Sequence, residues 1–268
     1  MENNIENRFR KANMIDVVPE RGEQEIALSE SSLRDATETK YAPVYIQPIE
    51  DNYELTPIQK FYSGQSIFIT GGTGFIGKLL IEKLLRECPG ITCIYLLIST
   101  KKGKSLHQRM KELIENSSVV HVSTAYSNCF HIPLEEKFYD PPIDPDKLIN
   151  LMDCINEKLL DDIIPQLLGK WPNTYVYTKT VAENLIKKRA DSIPIGIFRP
   201  GIVISTYREP IRGWIDNKNG PIGVTTSVFM GLMRTHYCDG SINVDFVPGD
   251  FTTNGIIASA WEIANNRK

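Results

Sequence analysis

The stretch TGGTGFIG, Thr70 to Gly77, constrains this chain more than any other. It follows a short β-rich run, QSIFIT. It leads directly into GKLLIEKLLREC, whose apolar residues recur at helical spacing until Pro89-Gly90. Gly71, Gly74 and Gly77 have the spacing G-x-x-G-x-x-G. The first allows a tight turn, the second lets backbone approach a pyrophosphate, and the third lets the helix pack closely on the sheet. The helix N-terminus adds free N–H groups and a partial positive charge for the phosphates. In this strand–turn–helix setting the loop reads as a dinucleotide site, with a plain βα turn as the alternative.

The alternation continues along the chain. ITCIYLLI is a second apolar strand, SLHQRMKELIEN a helix and SVVHVST a third strand. TYVYTKTVAENLIKKRAD is a helix ending near Pro194, and IGIFRP is a fourth strand stopped by Pro200. VDFVPGDF reads as one more strand. Strands alternating with helices predict an α/β fold, a Rossmann-like doubly wound parallel sheet. Three segments are expected: a disordered or weakly structured tail over 1–60, a NAD(P)-binding domain over 61–205, and a partial substrate-binding region over 206–268. The tail is rich in Glu, Asn, Ser and Thr and lacks sustained periodicity, so order is expected from Phe61. Its PVYIQPI run is a candidate to extend a sheet edge. EPIRGWIDNKNGPIG reads as a loop with turns near Asn217–Gly220, which Trp214 packs rather than covering substrate. SVFMGLMR reads as a short apolar helix, bordering a substrate tunnel or forming ordinary core.

Composition narrows the function class. The 268 residues are 41% hydrophobic and 24% charged with net charge −3, which suits a soluble globular chain and argues against nucleic acid as a partner. Five cysteines without a Cys-x-x-Cys pair suggest reduced thiols in a cytosol-facing compartment. Four histidines show no metal spacing, so no metal is expected. No apolar run approaches the roughly 20 residues of a membrane helix, and MENNIENRFRKANM lacks the apolar centre of a signal peptide.

Tyr175 and Lys179 lie four residues apart at a helix start, which places both on one face. A cation near a phenol favours the phenolate, so such a pair can pass a proton to a carbonyl oxygen as hydride reaches carbon. Ser123 and Thr124, ending the third strand, supply hydroxyls where ligands sit in open α/β sheets. Tyr177 is only two residues from Lys179 and is expected to face elsewhere. The second strand ends LLISTKKGK, with no acid to hold a ribose 2′-hydroxyl. Ser99, Thr100, Lys101, Lys102 and Lys104 would instead accept a 2′-phosphate, which favours NADP over NAD.

Together these motifs resemble the extended short-chain dehydrogenase/reductases, and within them the fatty acyl-CoA reductases. FYSGQSIFITGGTGFIGKLLIEKLL, KKGKSLHQRMKEL, VHVSTAYSN, PNTYVYTKTVAE and FRPGIVISTYREPIRGWIDNKNGP carry the likeness, over about Phe61 to Trp261. The resemblance implies reduction of a long-chain fatty acyl-CoA to a primary alcohol through an aldehyde, with NADPH as cofactor. It implies cofactor contacts at Thr70, Gly71, Thr73, Gly74, Phe75, Ile76, Gly77, Ser99, Lys101, Tyr175, Lys179 and Pro200. It makes Tyr175 and Lys179 catalytic, with Thr124 or Ser123 binding the carbonyl oxygen. It also implies peroxisomal or endoplasmic reticulum membrane association, for which this chain carries no spanning segment.

The chain departs from that family at three places. Ser99-Thr100 stands where the family has an Arg-Pro pair. The family's helical C-terminal region is absent. Roughly a hundred residues are expected to be missing between Leu113 and Val119, carrying two strands with their helices. SVVHVST must then pair beside SIFIT or leave the sheet open. Two further readings follow: a non-catalytic, internally deleted isoform or pseudoenzyme, and another extended reductase acting on a sterol or nucleotide sugar.

Overall fold

The structure, a computed structural model, describes residues 12–17, 54–99, 118–190 and 194–266. The chain forms two compact units, Met1–His107 and Gln108–Lys268.

In the first unit, strand β2 (Ser66–Thr70) runs parallel to β3 (Cys93–Ser99), with Ser66 opposite Cys93 and Thr70 opposite Leu97. Strand β1 (Ala12–Val17) lies antiparallel along the other side of β3, giving the order β1-β3-β2. Helix α1 (Pro57–Tyr62) precedes β2, and α2 (Phe75–Glu87) connects β2 to β3. The side chains of Leu79 and Leu84 from α2 are buried, as are Ile69, Ile91, Ile94 and Leu96 on and beside the strands. This βαβ unit is the part that the glycine loop predicts.

Order starts earlier than Phe61. Thr56 Oγ1 accepts the Gln59 N–H, Gln59 Oε1 accepts the Thr56 N–H, and Pro57 occupies the first helical position. That reciprocal cap is a complete helix-start signal, and it sets α1 inside the expected tail. Strand β1 also falls within the tail, in the sequence ANMIDV, with the apolar β3 as its ladder partner. The PVYIQPI candidate and the SLHQRMKELIEN helix lie outside the described residues.

The second unit holds two parallel pairs. Strand β4 (Val119–Val122) pairs with β5 (Ile195–Phe198), and β6 (Ile202–Ile204) with β7 (Phe246–Pro248). The fold is α/β, as the alternation of strands and helices predicts, with short and mainly parallel sheets among the described residues. Helices α3 (Pro145–Cys154), α4 (Glu157–Leu168) and α5 (Thr174–Arg189) pack together. Their shared core is Leu148, Tyr177 and Val181, lined by Ile143, Met152, Leu167, Leu168 and Trp171. The sequence pattern did not announce α3 and α4, whose stretch is interrupted by prolines. Their caps explain them: Asp144 Oδ1 accepts from the Asp146 and Lys147 N–H groups, and Asn156 Oδ1 accepts from Leu159 N–H at 2.9 Å.

Helix α6 (Pro221–Phe229) begins at its proline, six residues before the predicted SVFMGLMR, and ends before Gly231, whose φ is +70°. None of its residues is buried and Val228 and Phe229 are exposed, so the core reading of this stretch does not hold. Helix α7 (Gly249–Asn265) packs on β4 and β5. Two glycines permit the approach: a Cβ on Gly196 would lie 2.2 Å from Ile263 Cδ1, and one on Gly255 2.6 Å from Phe198 Cζ. No helix among the described residues is long and apolar enough to cross a membrane.

Candidate active site

The first unit presents the glycine loop. Gly71 has φ +72°, a conformation that a side chain would strain. A Cβ on Gly77 would meet Gly71 O at 2.2 Å and Gly72 Cα at 2.7 Å, so α2 can start only against bare backbone. Gly74 caps α2, and no side chain makes a cap hydrogen bond there. Thr70, Gly71, Thr73 and Gly74 are exposed, while Phe75, Ile76 and Gly77 are half-buried. The loop therefore suits a pyrophosphate, the group its spacing predicts. Ser99 ends β3, and Lys101 lies outside the described residues. Gly77→Ala is expected to destabilise this unit by about 1–3 kcal/mol through overpacking. Thermal melting checks that figure, and NADPH titration should show cofactor affinity falling with it.

The second unit carries the candidate pair, Tyr175 and Lys179, on α5. Asn173 caps this helix, its Oδ1 accepting the Val176 N–H at 2.9 Å. Tyr175, on the first turn, is 55% exposed. Lys179, one turn on, is half-buried, and its Nζ donates to the Val122 carbonyl at 3.1 Å. That bond fixes the lysine at the end of β4, beside Ser123 and Thr124. Tyr177 turns into the Leu148–Val181 core, where burial pushes its phenol pKa up, so it is not the exposed acid. Pro200 reaches the same strand end: its carbonyl accepts the Ala125 N–H at 2.8 Å.

The two candidate hydroxyls differ. Ser123 Oγ donates to Glu183 Oε1 at 2.5 Å, so its proton is committed. Thr124 Oγ1 accepts the Tyr126 N–H at 3.3 Å, and its proton has no acceptor among the described residues. Of the pair named from sequence, Thr124 is the one free to donate to a carbonyl oxygen.

Glu183 was not picked out from sequence. It is 1% exposed and lies one turn beyond Lys179. Arg199 binds it twice, Nε to Oε1 at 3.1 Å and a terminal nitrogen to Oε2 at 2.8 Å. Ser127 Oγ lies 2.8 Å from Oε1, and Asn128 Nδ2 donates to Oε2 at 3.2 Å. Burial pushes the Glu183 carboxyl upward, but the bonds from Arg199, Ser123 and Ser127 and the Arg199 charge outweigh it, so its pKa lies below the usual value. The legible signal was the spacing Y-x-x-x-K-x-x-x-E, which continues the Tyr175–Lys179 face by another turn. His121 on β4 belongs to this neighbourhood. Burial, and then the Lys179 charge, hold its pKa below the usual value against the pull of Glu183, and its Nε2 is buried without a partner among the described residues.

Asp250, at the start of α7, was also missed. Its carboxylate accepts the N–H groups of Tyr207, Arg208 and Glu209 at 2.8, 2.9 and 3.3 Å. It thereby fixes the loop that follows β6. Thr206 closes the same loop: the Trp214 N–H donates to Thr206 Oγ1 at 2.9 Å, and the Thr206 N–H to the Trp214 carbonyl at 3.1 Å.

A family model described as male sterility protein, an NAD-binding domain, matches residues 69–119 and 111–256. The chain belongs to that family. It is an extended short-chain dehydrogenase/reductase family, and its NAD-binding domain takes a nicotinamide cofactor. Curated relatives include a fatty acyl-CoA reductase named wat from Drosophila melanogaster, 32% identical over 83% of this chain and 59% of the relative. Fatty acyl-CoA reductase 1 of Xenopus laevis is 31% identical over 80% of this chain and 58% of the relative. The chain thus spans under two thirds of the length of these relatives. The terminal R domain from the myxalamid PKS-NRPS biosynthetic pathway overlaps 73% of this chain and 62% of its own, at TM-score 0.44 and 18% identity. That overlap is too loose to add to the fold seen in the chain's own strands.

The family match breaks where the sequence predicts missing chain, with its two pieces meeting over residues 111–119. The alignment with the Drosophila relative is 306 positions long but uses 83% of 268 residues, about 222. About 84 positions of that relative, 306 less 222, therefore have no counterpart in this chain.

Proposed function

We propose that this chain reduces a long-chain fatty acyl-CoA to the primary alcohol, with NADPH as cofactor. The observation that carries the proposal is Lys179 fixed to the Val122 carbonyl, with Tyr175 on the same helix face and the Thr124 hydroxyl free to donate. The glycine loop would hold the pyrophosphate, with Ser99 and Lys101 beside the 2′-phosphate. When bound, the nicotinamide supplies hydride. Tyr175 gives a proton to the carbonyl oxygen as it gains charge, Lys179 offsets the phenolate charge left behind, and Thr124 donates a second hydrogen bond to that oxygen. Two rounds are needed: the first converts the thioester to an aldehyde and releases the CoA thiol, and the second converts the aldehyde to the alcohol. Each consumes one hydride and one proton.

A second reading is a non-catalytic member of the family. The observation that favours it is the set of about 84 relative positions without a counterpart here. Acyl-CoA-dependent oxidation of NADPH, followed by nicotinamide absorbance over several acyl chain lengths, separates the two readings. Turnover favours the reductase, and a flat trace with cofactor bound favours the non-catalytic reading.

A further inference from the structure

Tyr175, Lys179 and Glu183 form one stripe on α5, at successive turns. The stripe descends from an exposed phenol to a carboxylate that is 1% exposed. A buried carboxylate needs partners, and Arg199 alone would supply a charge-compensated pair. The remaining bonds of Glu183 all go to one short segment, the turn that follows β4. The Ser123 hydroxyl and the Asn128 amide each donate a hydrogen bond, and Ser127 lies within hydrogen-bond distance. Ser127 Oγ is also 2.9 Å from the Thr124 carbonyl, and Thr180 of α5 donates to the Ser127 carbonyl. The turn carrying Thr124 is thus fastened to α5 on both sides of that residue.

We propose that Glu183 is a positioning residue for the proton-transfer group. It accepts a hydrogen bond from the Ser123 hydroxyl and anchors the Ser123–Asn128 turn, which sets the direction of the Thr124 hydroxyl and of the Val122 carbonyl that holds Lys179. The assignment rests on the reductase reading for its consequence in turnover, but not for the hydrogen bonds themselves. Arg199 acts on the other side of the carboxylate. It neutralises the charge and ties in the Lys137 carbonyl at 3.0 Å, so the carboxylate cannot swing away from the turn.

Two variants of the full chain separate positioning from simple structural support. Glu183→Asp keeps the charge for Arg199 but draws the carboxylate back from Ser123. Glu183→Gln keeps the length and removes the charge. Reduction of a long-chain aldehyde by NADPH reads the single-hydride step. Both variants are expected to lose kcat by about tenfold to a hundredfold, the cost of a displaced catalytic group, with KM within about twofold. The second arm needs no turnover. With isotope-labelled serine in mixed H2O and D2O, a slowly exchanging hydroxyl splits its Cβ signal into two. The Ser123 signal is expected to split in the wild type and to merge in Glu183→Asp. Wild-type kcat in both variants would overturn the proposal. So would a merged Ser123 signal in the wild type. If the wild type oxidises no NADPH, the reductase reading fails, and the serine signal alone decides the role of Glu183.

Discussion

Tyr175→Phe is expected to lower kcat for NADPH-dependent reduction by about 10²–10⁴-fold, the usual contribution of a positioned proton donor. The fold should not suffer. Tyr175 is 55% exposed, and among the described residues no side chain holds its hydroxyl. Removing one exposed oxygen from such a site typically changes stability by under about 0.5 kcal/mol. The comparison with Tyr177 sharpens the point. Tyr177 is buried against Leu148 and Val181, so Tyr177→Phe should leave kcat near wild type. Steady-state kinetics of both variants, with melting curves as a control, check the assignment. Equal losses in the two would contradict it.

Arg199→Ala is expected to cost about 3–5 kcal/mol of stability, because it leaves a buried carboxylate without its cation. Arg199 is 12% exposed at its side chain and Glu183 1%, so solvent screens the pair little. The pH dependence follows from the same contacts. The folded-state pKa of Glu183 lies below its unfolded value, so its contribution is present above that unfolded value, near 4.5. The contribution is lost as pH falls through the folded pKa. Without Arg199, burial pushes the carboxyl up with less to oppose it, and acid unfolding should begin at higher pH. Urea unfolding of both proteins between about pH 4 and 7 measures this. The solvent-exposed Lys188–Asp144 pair is the control: Lys188→Ala, which spares the Asp144 cap of α3, should change little.

The sequence showed the βαβ start of the first unit in detail, because a glycine turn between a β-rich run and an apolar helix has few alternatives. It showed Tyr175 and Lys179 for a similar reason: helical spacing alone puts them on one face. What it did not show was made by contacts between distant residues. Glu183 looks like an ordinary helix carboxylate until Ser123 and Asn128 of one turn and Arg199 after β5 close on it from two other segments. Asp250 likewise acts on backbone some forty residues away. The helices α3 and α4 were hidden by prolines that in fact stand near their starts or within them. Strand β1 was hidden in a polar tail because its partner, β3, lies far along the chain.

The break near residues 111–119 was legible as a helix pattern running straight into a strand. Two comparisons place missing positions there or require them: the family match falls into two pieces at that point, and the alignment with the Drosophila relative is longer than the chain. The chain keeps the glycine loop and the Tyr175–Lys179 pair on either side of that break. The proposed reductase activity stands or falls on turnover.

Acyl-CoA-dependent NADPH oxidation by the purified chain tests this most directly, with Tyr175→Phe run beside it. The account predicts two NADPH consumed per acyl-CoA, release of free CoA thiol, and a rate that collapses in the variant. A flat trace across several acyl chain lengths, with NADPH bound, would contradict it and leave the chain as a cofactor-binding member of its family.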